Sequence, residues 1–230
     1  MSQSTNNTAY NAVPADYTSE VGRIQFLIRT ALAGLRTAMP VKVIDVTNAG
    51  GVSPIGTLTV QPLVNLIDGN NVAWIHQPVY NVPYMRIQGG ANAVIIDPQV
   101  GDIGIATVCD RDISTVKSAK APSAPGSNRK NDMSDMVYLM TIIGAAPTQY
   151  IQFNSSGLNI VSPTKVTITA PEIDSTGVWN HSGNMNVTGN LGVTGTGNFG
   201  GNVTGNGVGL NTHHHSGVQT GSGNTGGPAG

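Results

Sequence analysis

From Gly157 to the C-terminus the chain carries a fixed charge at only three positions, Lys165, Glu172 and Asp174. Over the same stretch Ile168, Ile173, Val178, Met185, Val187, Leu191, Val193, Phe199 and Val203 come singly or in close pairs, separated by Thr, Asn, Ser and Gly. This is strand chemistry with very short connections, and internal periodicity of this kind marks a β-solenoid. Alone, such a chain has too little to bury. A covered Val or Leu contributes roughly 1.5–3 kcal/mol, while ordering each residue costs about 1–2 kcal/mol. Three copies wound around one axis resolve the deficit, because their inward apolar side chains meet and each strand edge is paired by the next chain. A Gly/Ser/Asn/Thr tract also reads as a disordered linker. The regular return of Val, Ile and Leu favours an ordered trimeric β-structure.

The rest of the chain has a different texture. Residues 1 to about 17 are polar. Val21, Ile24, Leu27, Ile28, Ala31, Leu32 and Leu35 then recur at three- and four-residue steps, which predicts a helix capped by Thr18 or Ser19 and ended by Pro40. It packs either on its own domain or against a neighbouring subunit or another protein. Between residues 39 and 146 five or six short Val/Ile-rich segments are bounded by Gly, Pro, Asn and Asp, which predicts a small barrel or sandwich, with an oligonucleotide/oligosaccharide-binding (OB) barrel fitting the strand number and length. The loop SAKAPSAPGSNRKND, with Lys117, Lys120, Arg129 and Lys130 in or beside it, reads as solvated surface.

Charge narrows the function classes. With charged residues at 10% and a formal net charge of -1, no cationic field points to nucleic acid. A soluble domain typically has about 25% charged residues, so this chain is expected to hide much of its surface in an assembly. The single cysteine, Cys109, excludes an intrachain disulfide and reads as a buried, inert core residue. No apolar run reaches the roughly 18 residues of a membrane span. The first ten residues lack the basic and apolar segments of a signal peptide, so synthesis in a cytoplasm is expected.

His213, His214 and His215 stand near the far end. They are too few for a purification tag, which leaves a solvated tip or a metal site. In extended backbone alternate residues share a side, so His213 and His215 face together. Two imidazoles do not close a site, but two from each of three chains supply six nitrogens around an axis. That set suits an octahedral metal rather than tetrahedral zinc, with iron(II) the natural candidate and nickel or cobalt as alternatives. A saturated octahedron leaves no open position for catalysis, so the role is structural. His76 and His181 read as ordinary polar residues, the former in a strand and the latter in a turn.

The segments LAGLRTAMPVKVIDVTN, VQPLVN, NVPYMRIQGGANAVIIDPQVGDIGIATVCDRDIS and NDMSDMVYL, together with the terminal HHHSGVQTGSGNTGGP, resemble the baseplate central spike (membrane-piercing, tail needle) proteins of contractile-tailed bacteriophages. His213, His215, Gly217, Val218, Gly221, Asn224, Thr225, Gly226 and Pro228 follow the layout of that family's tip. The resemblance implies a mainly β fold: an arm and helix over 1–38, an OB-fold domain over 39–146, an intertwined triple-stranded β-helix over 147–206, and an apex over 207–230. It also implies one buried iron (Fe2+) per homotrimer, held by His213 and His215 of each chain, with His214 as an unusual intervening residue. The implied partners are hub or tube proteins of the tail at the N-terminal end and, transiently, the outer membrane of a Gram-negative host, with no nucleic acid. The implied location is the tip of the virion's tail baseplate. The implied role is mechanical piercing, not catalysis, since no carboxylate pair is placed for glycoside hydrolysis. A receptor-binding fibre or adhesin tip is the alternative; the absence of aromatics beyond Phe199 weighs against it.

Overall fold

The computed structural model describes residues 14–48, 51–67, 72–214, 217 and 221. The chain divides into two units, Met1–Thr167 and Ile168–Gly230. The first described elements of the first unit are a 3-10 turn (Pro14–Asp16) and helix α1 (Glu20–Ala33). Ser19 caps α1 as predicted, its hydroxyl oxygen accepting the Gly22 N–H at 3.0 Å. Pro40 does not end it. The helix stops at Gly34, and Pro40 lies inside the first strand. Gly costs a helix about 1 kcal/mol relative to Ala and needs no proline beyond it to terminate a turn.

The strands of this unit are β1 (Ala38–Val46), β2 (Thr57–Pro62), the pair β3 (Leu66–Ile67) and β4 (Ala73–Trp74), β5 (Val79–Pro83), the hairpin β6 (Ile87–Gly89) and β7 (Asn92–Val94), and β8 (Ile103–Val108). Helix α2 (Ser114–Ala119), strand β9 (Met136–Ile143) and a last hairpin, β10 (Tyr150–Asn154) and β11 (Gly157–Val161), follow. Five strands form one antiparallel sheet in the order β5-β2-β1-β8-β9. Burial alternates along β2 and β8, as period-2 sequences such as LTV and IAT require. Register shifts in β1, β2 and β8 bend the sheet. Its two edges then meet: Tyr84, just past β5, bridges Tyr138 of β9 in parallel, and the Met85 N–H donates to the Tyr138 carbonyl at 2.9 Å. Val41, Val43, Leu58, Val60, Val82, Tyr84, Ala106, Met136 and Tyr138 fill the enclosed core.

A buried ion pair lies beside this junction. The Arg86 guanidinium donates to Asp97 from Nη2 at 2.6 Å and from Nε at 3.0 Å, and the two side chains are 2% and 0% exposed. Arg86 Nη1 also donates to the Ser53 carbonyl at 2.6 Å. The Tyr84 hydroxyl donates to the Asn48 carbonyl at 3.1 Å, so one cluster holds both ends of the connection between β1 and β2.

The connection between β8 and β9 is solvated as expected, with residues 118–130 all exposed. It also contains α2, and Arg129, its side chain 40% exposed, is held by Asp112 at 3.0 Å and Asp135 at 3.3 Å, both carboxylates being buried. Cys109 is only partly buried, at the end of β8, rather than in the core. Burial first, then Asp135 and Asp110, push its thiol pKa up and so disfavour the reactive thiolate. His76 lies between β4 and β5 rather than in a strand, two residues before Pro78. Among the described residues no helix is long and apolar enough to cross a membrane.

In the second unit the single chain forms no strand before β12 (Thr204–Gly205) and β13 (Val208–Gly209). The apolar residues from Ile168 to Val203 are all exposed, from 38% at Val203 to 89% at Val178. The alternation that predicts strands is present, but a strand requires a hydrogen-bonding neighbour, and one apolar side chain every few residues does not hold the backbone by itself.

Candidate functional site

The candidate metal ligands follow directly on a hairpin whose geometry is written in two residues. Thr204 pairs with Gly209 and Gly205 with Val208, leaving Asn206 and Gly207 as the turn. Both have positive φ, 49° and 80°. Asn-Gly is the strongest short-range signal for such a two-residue turn, because both central residues must be left-handed. The hairpin is extended by a backbone bond from the Leu210 N–H to the Val203 carbonyl at 2.7 Å. Asn202 then clamps the exit, its Oδ1 accepting the Asn211 N–H at 3.0 Å. Gly209 leaves room for this clamp, since a Cβ there would collide with the Asn202 side chain and meet Thr212 Oγ1 at 2.8 Å.

Beyond Gly209 the chain curls. The Thr212 and His213 N–H groups both donate to the Gly209 carbonyl, at 3.2 and 3.0 Å. His213 Nδ1 lies 3.0 Å from the Leu210 carbonyl oxygen. A carbonyl only accepts, so Nδ1 carries the proton, and this tautomer gives Nε2 the lone pair. A backbone carbonyl on one ring nitrogen is the usual way a ligating histidine is oriented and made more basic toward a metal on the other. His214 is exposed. His215, the second expected ligand, lies outside the described residues. Among the described residues no three His, Cys, Asp or Glu side chains gather as a metal site. His181 is exposed, its Nε2 3.2 Å from the Asn184 carbonyl oxygen. Reading the H-x-H spacing picks out candidate ligands but passes over Asn202, Gly209 and Leu210, which set the approach to His213; the Asn206-Gly207 pair was the signal that a hairpin precedes them.

Residues 207–229 match the family described as the GpV Apex motif. The match indicates a phage spike or tail-tip protein. It begins at the second turn residue of the β12–β13 hairpin and contains all three histidines of the cluster. The motif is one that binds a metal at the spike tip, and it suggests a location at the tip of a virion's tail. No curated protein matches the chain.

Proposed function

We propose that the chain is the central spike of a contractile-tail baseplate, a homotrimer that crosses the bacterial outer membrane by mechanical force. The observation that carries this reading is the Apex motif at 207–229, seated directly on a tight hairpin and including His213 with its Nδ1 proton held by a backbone carbonyl. The five-strand order with a parallel closing bridge supports an OB-type barrel at the base. The exposure of every large apolar residue from Ile168 to Val203 supports their burial between three chains in a triple-stranded β-helix. The spike is a structural part and not an enzyme, and its base docks on tail hub or tube proteins.

His213 and His215 of three chains would hold one iron(II) on the axis. Held there, the iron would act as a structural cross-link between the three chain ends through their imidazoles. The chain's own residues then do the mechanical work: Asn202 and the Asn206-Gly207 turn fix the approach, and Leu210 orients the His213 ring. An intertwined trimer unfolds only by separating strands of three chains, so its unfolding is slow, as a device under load requires.

The test is elemental analysis of untagged protein combined with mass by light scattering. About one iron per three chains is expected, lost in a His213→Ala/His215→Ala double variant. A monomer without metal would overturn the reading, and a trimer without metal would remove the iron clasp while keeping the needle.

A further inference from the structure

Helix α1 is mounted the wrong way round for a helix that packs on its own domain. Its half-buried residues are Gly22, Phe26, Arg29, Thr30 and Ala33, the side that carries Arg29 and Thr30. Arg29 donates to Asp16 at 2.9 Å and lies 5.5 Å above the Phe26 ring, and Arg36, beyond the helix, donates to the Asn131 carbonyl at 3.4 Å. The apolar side points out. Val21, Ile24, Leu27, Ile28, Leu32 and Leu35 are 64%, 50%, 65%, 54%, 58% and 53% exposed. A surface helix normally turns that stripe inward, so this one is made to be covered by something else.

We propose that the cover is the same helix from two further copies, giving a parallel three-helix coiled coil at the base of the assembly. The spacing is heptad: Val21 and Ile28 fall at one core position and Ile24 and Ala31 at the other, and Leu35, just past the end of the helix, is next in the series. Val21, Ile28 and Ile24 place β-branched residues at both core positions, Ala31 being the exception, and that pattern favours trimers over dimers. The flanks are matched to the helix itself. In a parallel coil the residue before one core position faces the residue five further along on the neighbour, which sets Leu27 against Leu32 and Glu20 against Gln25. The apolar flank thus meets apolar and the acid meets an amide. Arg23, Arg29 and Arg36 fall outside the seam, so no like charges oppose across it. A face that must be its own complement needs that distribution of charge. Two heptads are too short to associate strongly alone, and the coil draws on the high local concentration created by trimerisation elsewhere in the chain. It therefore rests on the trimer of the proposed function.

The test uses full-length protein in a Cys109→Ser background, with a single cysteine introduced at Ile28→Cys on the seam or at Ala33→Cys on the back. Light scattering gives the oligomeric state, and mild oxidation followed by non-reducing electrophoresis gives the linking rate. The expected result is a trimer in which Ile28→Cys links pairs of chains roughly ten-fold or more faster than Ala33→Cys, with the third thiol of each trimer left over. A trimer that links equally fast at both positions, or at neither, overturns the coiled coil and leaves the spike intact. A monomer overturns both.

Discussion

Asp112 shows how one side chain can set the acid limit of a domain. Hydrogen bonds from Ser114 and Ser127, aided by the Arg129 charge, lower its pKa from 3.8 to about 2. Because the folded value lies below the unfolded one, the stabilisation is fully present above about pH 4 and is lost as pH falls toward 2. Wild-type thermal stability should therefore decline over that interval. Asp112→Asn should be less stable at neutral pH and should converge with wild type near pH 2; parallel curves would show that Asp112 is not the titrating group. Gly104 makes a second residue-scale case. It is buried in β8, and a Cβ there would run into the Tyr138 ring and the Met140 carbonyl. One of these is backbone and the other a core ring with no room to swing. Gly104→Ala should destabilise the first unit by about 2 kcal/mol in urea titration, while loss under 0.5 kcal/mol would mean the sheet opens there more easily than its register implies.

At the scale of elements, the β12–β13 hairpin leads directly into the proposed metal site. Nothing lies within 4 Å of a Cβ placed on Gly207, so its φ of 80° is the whole obstacle to substitution. Gly207→Ala should cost about 1 kcal/mol of hairpin stability and should release iron to a chelator about five-fold faster, with trimer mass unchanged; an unchanged release rate would uncouple the turn from the site. Strands proved the most legible elements. The segments around Val43, Val60, Val82, Ala106 and Tyr138 announce themselves by Val/Ile content and period-2 alternation, and each lies in or beside a strand of the closed sheet. Less legible was which partner a charged side chain would meet. Arg129 reads as a solvated cation and stays 40% exposed, but its pairing with Asp112 and Asp135 is not written in the sequence, and Arg86 gives no sign in sequence that it will be sealed against Asp97. The periodicity of α1 predicts a helix but is silent about which way its apolar side faces. At the apex the H-x-H spacing was legible, whereas the carbonyl that orients His213 depends on a curl that no spacing encodes.

For the whole molecule, the two units obtain their order from different sources. The first closes a core within one chain, around residues such as Leu58, Val60 and Tyr138 that are at most 1% exposed. The second has apolar side chains at regular intervals but no strand pairing from Ile168 to Val203 within the chain. Over 168–203 the chain offers its own amides no strand partner, so in the proposed trimer the other copies would protect them. Hydrogen exchange on the assembled protein should therefore show amides over 168–203 protected for hours, even though a single chain provides no partner for them. Heating should split the molecule into two transitions. The first unit should melt reversibly at a temperature independent of scan rate. The second should melt later, at a temperature that rises with scan rate, because separating three interwound chains is governed by an unfolding barrier. A chelator should lower only the second transition, since the proposed iron would fasten only the ends of the second unit. Exchange over 168–203 within seconds in protein of trimeric mass would instead locate the trimer contacts in the first unit, with α1 as the surface to examine, and would leave the distal segment without the stiffness that a piercing needle needs.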